Sequence, residues 1–536
     1  MTARALSIAA LLALAAHAAA APSLAAQGAA GSDVFVLTAG GDTIAVERFT
    51  RTAASLQSEL LVRQAGVRIA ITVDLAPAGG ATRFRMAVRQ ATADTSSPPL
   101  QSLDARLGAD SVIAEVGAGG ATTTQRFASR ARILPFLNPS MALLELVVRQ
   151  ARAAGGDSVA VPVWNAQGGT TISATVVRIG ADSVLVTLGT PLRLAVSSDG
   201  DILGGSIPAQ KLNIVRVRGG GSADAALAAE KPDYSAPAGA PYTAEEVRIV
   251  SPKGHTLAGT LTLPKGGAAG RGVPAAITIT GSGAQERDEM LSIVKGYRLF
   301  RQVADTLGRH GIAVLRMDDR GWGASTGDGA TATSADFADD IRAGLAYLRT
   351  RKEIDPSRLF LIGHSEGGLI APMVAATDTG LFALVLMAGP SQKGRTILDY
   401  QIRNGITNTA TLSAAQKDSA LRGVPQTIDS LAAHSPWMKF FFDHDPLVTA
   451  RRVKVPTLIL QGETDRQVTA AQAEELAAAL RAGGNRDVTV RLFPRANHLF
   501  LEDADGNPAL YSSLRSGAVR SDVLGAMLEW LRVKLR

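Results

Sequence analysis

The chain has 536 residues, of which 46% are hydrophobic and 19% charged, so it is long enough for two or three domains with sizeable cores. It contains no cysteine, which excludes disulfides, thiolate nucleophiles and cysteine-ligated metals. Its net charge of +7 comes from basic and acidic residues interspersed along the chain. A nucleic-acid footprint would be concentrated, so we expect no nucleic-acid partner.

Residues 1–26 have the pattern of a secretory signal peptide. Arg4 precedes an apolar run from Ala5 to about Ala21, and small residues follow at Ser23 and Ala25. The run is alanine-rich and shorter than the ~20 strongly apolar residues that a membrane span needs. We therefore expect a periplasmic or secreted protein without a membrane span in the mature chain.

Residues 33–217 alternate apolar and polar side chains, which predicts strands with one buried face. The sequence Gly-Ala-Asp-Ser-Val occurs at Gly108 and again at Gly180, either as a divergent repeat or as a recurring hairpin turn; turn chemistry explains it well. One helix is predicted at about Pro139–Ala153. We expect an antiparallel all-β domain, a barrel or a sandwich, whose role the sequence does not reveal.

A linker rich in glycine, alanine and proline is predicted at residues 218–241, and strands alternate with helices from 242 to 536. This alternation predicts an eight-stranded, mostly parallel sheet with helices on both faces. The predicted strands are Val247–Ser251, Leu257–Leu263, Ala275–Thr280, Ile312–Arg316, Arg358–Ile362, Ala383–Met387, Thr457–Gln461 and Val488–Leu492. The predicted helices lie near residues 294–309, 333–350, 367–377, 470–483 and 521–535.

Gly363-His-Ser-Glu-Gly367 follows a predicted strand and precedes a predicted helix. In that context G-x-S-x-G is a nucleophile elbow, because its glycines allow the sharp turn that exposes the serine. Ser365 is therefore the candidate nucleophile. A serine hydroxyl needs a base to take its proton.

The base and its orienting acid should follow the nucleophile in the chain. Of the three histidines after Ser365, only His498 lies just after the last predicted strand. The acid should follow the strand before that one, where Asp465 is the first choice and Glu463 the second.

Two backbone N–H groups are needed to stabilise the oxyanion. One is expected from Glu366, directly after the nucleophile. The other is expected from the glycine-rich loop that begins at Gly281, with Ser282 first and Gly283 next.

Three sequence blocks resemble those of bacterial carboxylesterases of the EstD type, in the α/β-hydrolase superfamily. They are Gly281-Ser-Gly-Ala-Gln-Glu-Arg-Asp-Glu289, the segment Arg316–Gly327, and the elbow with its helix, Gly363–Ala375. The resemblance covers roughly residues 242–536. It implies an α/β-hydrolase fold, a triad of Ser365, Asp465 and His498, and hydrolysis of short-chain carboxylic esters without a cofactor. Related members are serine aminopeptidase-like or acylaminoacyl-peptidase-like.

An insertion at residues 390–454 lies where a lid would lie, between two core strands. It carries Trp437, Phe440, Phe441 and Phe442, which suit either an apolar lid or a helix packed on the core. Asp318, Asp319 and Arg320 are interpreted as a charge network that pins loops.

The sequence thus predicts a secreted serine hydrolase, first a carboxylesterase and alternatively a serine peptidase of the aminopeptidase or acylaminoacyl-peptidase type. Its substrate would be a small ester or a small peptide, with no cofactor and no metal. A more distant alternative is a non-catalytic binding protein.

Overall fold

A computed structural model gives the position of most of the chain and divides it into two compact units, with the division at residue 231. The predicted signal peptide, residues 1–26, lies outside the described part. The structure describes residues 32–39, 42–93, 99–118, 121–188, 190–207, 212–219, 232–265, 272–291, 293–329, 331–409, 413–433 and 435–536.

The first unit is made of strands and one helix, as the period of two predicts. Its strands are β1 (Asp33–Ala39), β2 (Asp42–Arg51), β3 (Ser55–Val62), β4 (Val67–Leu75), β5 (Ala81–Gln90), β6 (Gln101–Leu107), β7 (Ser111–Ala118), β8 (Ala121–Ala128), β9 (Leu134–Phe136), β10 (Ser158–Asn165), β11 (Thr170–Arg178), β12 (Ser183–Leu188), β13 (Thr190–Val196), β14 (Ile202–Ile207) and β15 (Leu212–Val217). The helix is α1 (Met141–Ala154).

All fifteen strands belong to one sheet, in the order β8-β7-β6-β5-β4-β3-β2-β1-β15-β14-β13-β12-β11-β10-β9. The pairs are antiparallel except β9 with β10, which is parallel. Thr171 on β11 donates to the carbonyl of Ala128 at the end of β8, so these two strands come together as the sheet curves. Nine residues of α1 are buried.

The two copies of Gly-Ala-Asp-Ser-Val form turns. Gly108 N–H donates to the carbonyl of Ser111 at 3.0 Å, between β6 and β7. In the second copy, Ile179 N–H donates to the carbonyl of Ser183 at 3.1 Å, between β11 and β12. Each copy therefore reverses the chain inside a hairpin, in agreement with the turn interpretation.

The second unit begins at Pro232 and alternates strands with helices. Its strands are β16 (Tyr242–Val250), β17 (Thr256–Pro264), β18 (Val273–Ile279), β19 (Ala313–Met317), β20 (Ile354–His364), β21 (Ala383–Met387), β22 (Thr457–Gly462) and β23 (Val488–Phe493). Its helices are α2 (Leu299–Gly308), α3 (Ser334–Thr350), α4 (Gly367–Ala375), α5 (Gly394–Asn408), α6 (Ala414–Arg422), α7 (Val424–Ala433), α8 (Pro436–Asp443), α9 (Pro446–Ala450), α10 (Ala471–Ala482) and α11 (Ser521–Lys534).

These strands form one sheet in the order β16-β17-β19-β18-β20-β21-β22-β23. The pairs from β18 onward are parallel, and β16 and β17 run antiparallel at one edge. Alternate residues of β20 enter two cores: Leu359 and Leu361 pack with α3, α4 and α10, whereas Phe360 and Ile362 pack with α2 and α11. Both faces of the sheet are therefore covered, and ligands are expected at the carboxyl ends of its strands.

Two boundaries differ from those that periodicity predicted. The helix predicted near 294–309 begins only at Leu299, because Tyr297 N–H donates to the Val294 carbonyl in a turn and Met290 bridges Arg298. The end of the predicted linker, from Pro232, belongs to the second unit, where Tyr234 donates to Glu286 at 2.9 Å. Of the helices that the structure describes, none combines the length and apolarity needed to cross a membrane.

Candidate active site

The nucleophile elbow joins β20 to α4. Ser365 has a φ of 53°, a left-handed conformation that is rare outside glycine. Its neighbours in the turn are buried, whereas Ser365 itself is half-buried. A Cβ on Gly363 would lie 2.1 Å from the carbonyl oxygen of Gly367, and one on Gly367 would lie 2.1 Å from that of Ile279. Only glycine allows these approaches, so the motif folds here for the steric reason that the sequence suggested.

His498 and Asp465 come together on the loops that follow β23 and β22. His498 Nδ1 lies 2.7 Å from Asp465 Oδ2, and both residues are 4% exposed. Because a carboxylate only accepts, Nδ1 carries the hydrogen, which leaves Nε2 to accept a proton from a nucleophile. Asp465 also accepts from Gln461 Nε2 at 3.0 Å and from the backbone N–H groups of Gln467 and Val468 at 2.7 and 2.9 Å.

The other candidates for acid and base lie elsewhere. Glu463 is exposed, and no described hydrogen bond joins its carboxylate to His498. His444 stacks on Phe440 with ring centroids 5.5 Å apart, and burial lowers the pKa of His444. His434 lies outside the described residues.

The predicted oxyanion loop lies against the nucleophile. A Cβ on Gly281 would sit 3.3 Å from the Cβ of Ser365. Throughout the described chain, no protein acceptor takes the backbone N–H of Ser282, Gly283 or Glu366. Ser282 and Gly283 are exposed whereas Glu366 is buried, so the unmatched donor of Glu366 is the unusual one.

A cavity of about 30 Å³ borders this loop and the elbow. It is lined by Gly281, Gly283 and Glu366 together with Asp319 and Ile370. Burial raises the pKa of both Asp319 and Glu366, although hydrogen bonds to each carboxylate oppose that shift. Its volume has room for about two water molecules or a very small apolar group.

The helical insertion reaches the residue after the nucleophile. Trp437 Nε1 on α8 donates to Glu366 Oε1 at 2.7 Å, and the Ser334 hydroxyl donates to the same oxygen at 2.6 Å. Phe441 and Phe442 are buried in the core that also contains α3 and α4. Trp437 packs against the same core, so three of the four aromatic side chains of α8 lie on it.

The three residues of the Asp-Asp-Arg segment after β19 have different surroundings. Asp318 pairs with the buried Arg287 through two hydrogen bonds of 2.9 Å, and Arg320 pairs with Asp340 at 2.6 and 2.8 Å. These contacts join loops to the sheet and to α3, as expected of a charge network. Asp319 differs, because it borders the cavity.

A second histidine–carboxylate pair was missed by sequence reasoning. His364 Nδ1 lies 2.6 Å from Glu289 Oε1, and His364 Nε2 donates to the backbone carbonyl of His498 at 2.9 Å. Both members stood inside motifs that the sequence had singled out. Their separation of 75 residues concealed that they touch.

The sheet order, the elbow between β20 and α4, and the histidine and aspartate after the last two strands are those of an α/β hydrolase. Comparison with known proteins confirms the resemblance to this superfamily and to EstD-type esterases. Residues 293–505 match the model of the serine aminopeptidase family S33. The matched residues all lie in the second unit, which is therefore the part of the chain that is similar to hydrolases.

Similar proteins include both esterases and peptidases. Esterase EstD of Thermotoga maritima is 25% identical over 311 residues, covering 56% of this chain and 70% of EstD. Dipeptidyl aminopeptidase BIII of Pseudoxanthomonas mexicana is 29% identical over 277 residues, covering 47% of this chain and 35% of that enzyme. A structure of the esterase Pf2001 of Pyrococcus furiosus covers 56% of this chain and 95% of its own, at 18% identity and a TM-score of 0.39.

Proposed function

We propose that this protein is a serine carboxylesterase that hydrolyses short-chain esters through an acyl-enzyme formed on Ser365. The observation that carries the proposal is the 2.7 Å hydrogen bond between His498 Nδ1 and Asp465, which leaves Nε2 of the ring as the proton acceptor. The strained conformation of Ser365 supports it, since such strain concentrates at functional sites.

In the acylation step, Ser365 Oγ attacks the ester carbonyl carbon while His498 Nε2 takes its proton. The carbonyl π electrons move to oxygen, and the resulting oxyanion accepts hydrogen bonds from the N–H groups of Glu366 and Ser282, with Gly283 as the next candidate. The tetrahedral intermediate collapses by breaking the ester C–O bond. The departing alkoxide takes the proton from His498 and leaves as an alcohol.

In the deacylation step, a water molecule gives its proton to His498 Nε2 and attacks the acyl carbon. Collapse of the second intermediate breaks the bond to Ser365 Oγ, which recovers the proton from His498. A carboxylic acid leaves, and the enzyme returns to its starting state. Every proton and electron pair is accounted for by side chains and water, so this reaction uses neither a cofactor nor a metal.

The preference for short acyl chains rests on the cavity beside the oxyanion loop. A volume of about 30 Å³ accepts an acetyl methyl group far more readily than an octanoyl chain. We expect kcat/KM to fall steadily from nitrophenyl acetate to butyrate to octanoate. Higher activity on octanoate than on acetate would contradict this part of the proposal.

Labelling with a fluorophosphonate probe tests the serine mechanism directly. We expect stoichiometric labelling of the wild type and none of Ser365→Ala. Ser391→Ala is the matched control, because Ser391 is a buried serine whose hydroxyl is bound to Glu475 at 2.5 Å. A wild type that neither labels nor hydrolyses any ester would overturn the enzyme proposal in favour of a non-catalytic binding protein.

A second candidate, a serine peptidase, is favoured by the matched family and by the peptidases among the relatives. An alanine nitrophenyl ester and an alanine nitroanilide present the same acyl group with different leaving groups. The esterase proposal predicts ester turnover well above amide turnover, and equal rates would favour the peptidase. N-acetylation of the nitroanilide then separates the two peptidase types, since only an acylaminoacyl peptidase prefers the acetylated form.

Export is the remaining part of the proposal. It is supported by the apolar run after Arg4 and the small residues near Ala25. Expression of the full chain in a Gram-negative host should place the protein in the periplasm or the medium. Its first residue should lie near positions 26–28, and recovery of an uncleaved chain in the cytoplasm would overturn this.

A further inference from the structure

One carboxylate connects the three loops of the candidate site. Glu289 Oε1 accepts from the N–H of Gly281, at the start of the oxyanion loop, at 3.2 Å. The same oxygen lies 2.6 Å from Nδ1 of His364, which directly precedes Ser365. The other nitrogen of His364 donates to the carbonyl of His498 at 2.9 Å, on the base loop.

The partners of His364 determine its protonation. The backbone carbonyl of His498 can only accept, so Nε2 of His364 carries a hydrogen; with an ionised carboxylate on the other side, Nδ1 donates as well and the ring is an imidazolium. Burial by itself would lower the pKa of His364, but the charge and hydrogen bond of Glu289, together with the hydrogen bond to the His498 carbonyl, raise that pKa above its usual value. Asp465 adds a smaller effect in the same direction. The rings of His498 and Phe500 also lie near His364, with centroids 4.9 and 6.1 Å from its own.

Glu289 has an unfavourable backbone conformation and an unpaired side-chain oxygen where it contacts His364. Its backbone φ is 53°, its side chain is buried, and Oε2 has no hydrogen-bond partner within the described chain. Left-handed backbone at a non-glycine residue and an unpaired buried oxygen both reduce stability. Such features persist where the local geometry serves the site.

We propose that His364 and Glu289 form a positioning pair, an ionised bridge that holds the oxyanion loop, the nucleophile elbow and the base loop in register. Neither residue touches the substrate. The pair acts through Gly281 and through the backbone of His498. This inference rests on the proposed serine-hydrolase function of the same site.

The test compares three substitutions with a matched control. His364→Gln keeps a donor where Nε2 lies, facing His498, whereas His364→Asn keeps one only where Nδ1 lies. Glu289→Gln removes the charge and keeps the shape. The control is His255→Gln, which alters a partly buried histidine bound to a carboxylate, Asp340, at 2.7 Å and outside these loops.

We expect His364→Asn to lower kcat by about 10²-fold, because misplacement of a catalytic group by 1 Å has an effect of that size. His364→Gln should recover part of this loss, KM should stay nearly constant in both, and His255→Gln should resemble the wild type. The double variant with Glu289→Gln should be no worse than His364→Asn alone. Equal losses in the Gln and Asn variants, or losses matched by His255→Gln, would overturn the positioning role.

The pH profile supplies a readout that simple destabilisation would not move. Because the pKa of His364 is raised in the folded protein, the bridge is intact below that pKa and lost as the pH rises through it. The wild type should therefore lose kcat on the alkaline side. In Glu289→Gln the charge of Glu289 no longer opposes the effect of burial, and only the His498 carbonyl and Asp465 still favour the protonated ring, so this limb should move to lower pH. An unchanged alkaline limb in Glu289→Gln would contradict the inference.

A readout without turnover separates this inference from the proposed function. In Ser365→Ala, the hydrogen-bonded Nδ1–H of His364 should give a far-downfield proton resonance that disappears in the Glu289→Gln background. If the resonance is absent from Ser365→Ala in which Glu289 and His364 are intact, the ionised bridge does not exist, whether or not the wild type is active. Failure of the wild type to label with fluorophosphonate overturns the proposed function, while the resonance still decides whether the bridge exists.

Discussion

Both units of the protein bury carboxyl groups, and the surroundings of those groups differ. In the first unit, Glu47 accepts from the hydroxyls of Ser58 and Ser140 at 2.5 and 2.6 Å and from the N–H of Ala142 at 2.9 Å, so it caps α1. Glu145 accepts from Arg216 at 2.5 Å and from the N–H of Ile202 at 2.8 Å, and it also pairs with Arg51. Each of these four oxygens has a protein partner.

Around the nucleophile of the second unit, hydrogen-bonding capacity is left over. Within the described chain, Glu289 Oε2 has no partner, and the N–H groups of Ser282 and Glu366 have no acceptor. A buried polar group that is fully paired contributes to folding, whereas unpaired donors beside a strained serine are available to a substrate. Among these carboxyl groups, saturated hydrogen bonding therefore accompanies a structural role, and a spare oxygen accompanies a position beside the nucleophile.

The largest expected effect is on turnover. Asp465→Asn preserves the size of the side chain but favours the wrong tautomer of His498, and a loss of about 10⁴-fold in kcat is expected. Ester hydrolysis under saturating substrate measures it. Glu463→Gln, in the same loop, changes an exposed carboxylate and should leave kcat nearly unchanged. A larger loss in Glu463→Gln than in Asp465→Asn would reassign the orienting acid.

The sequence predicted the structure best where burial, backbone packing or catalysis restricts which residues can occupy a short segment. Strand β21 occupies Ala383–Met387 as predicted, because a fully buried parallel strand is a continuous apolar run. The elbow was predictable because Gly363 and Gly367 are required by contacts of 2.1 Å that no other residue permits. Asp465 and His498 were found from chain order, and the structure brings their side chains within 2.7 Å.

Contacts between distant segments were not predictable. The pairing of Glu289 with His364 depends on how the loops after β18 and β20 meet, which no local pattern encodes. The continuous sheet of the first unit depends on β1 pairing with β15 across most of that unit. The bond between Trp437 and Glu366 has the same origin, since α8 is brought to α4 by packing rather than by sequence proximity.

The second prediction concerns the close packing of Gly367, in the elbow, against the backbone of Ile279. It changes no charged residue. Gly367→Ala places a Cβ 2.1 Å from the carbonyl oxygen of Ile279, so overpacking should lower the free energy of unfolding by about 3 kcal/mol. Gly405→Ala is the control, because its Cβ meets nothing within 4 Å in α5, and alanine should stabilise that helix by up to ~1 kcal/mol. Chemical denaturation measures both. Equal stability of the two variants would mean that the elbow tolerates displacement.

The third prediction concerns the saturated carboxyl of the first unit. Glu47→Gln replaces one carboxylate oxygen with an amide NH₂, which then faces a hydrogen-bond donor, such as the N–H of Ala142 at the start of α1. We expect the free energy of unfolding to fall by about 2 kcal/mol and kcat to stay unchanged. Glu115→Gln, an exposed change on β7, is the matched control. Calorimetry at several pH values measures the loss. A reduced kcat in Glu47→Gln at constant fold would break the contrast between the two units.

The pH dependence of that loss follows from linkage. Burial raises the pKa of Glu47 above its ordinary value of 4.5, although its hydrogen bonds oppose the shift. The folded state therefore holds the proton more tightly than the unfolded state, and stability falls as the pH rises above 4.5 toward the raised pKa. Glu47→Gln lacks this slope, so its deficit relative to the wild type should shrink as the pH rises. A deficit that grows with pH would mean that the pKa is lowered instead.

The smallest expected effect tests whether the insertion adjusts the site. Trp437→Phe keeps an aromatic ring beside Phe441 but removes the 2.7 Å hydrogen bond to Glu366, whose backbone N–H is the proposed oxyanion donor. Losing one hydrogen bond to a carboxylate that Ser334 still satisfies should change kcat/KM by about threefold to tenfold. Phe440→Leu, elsewhere on α8, is the control. If α8 only covers the core, both variants will change stability and leave kcat unchanged. If α8 orients Glu366, only Trp437→Phe will lower kcat. In that case the insertion contributes to catalysis.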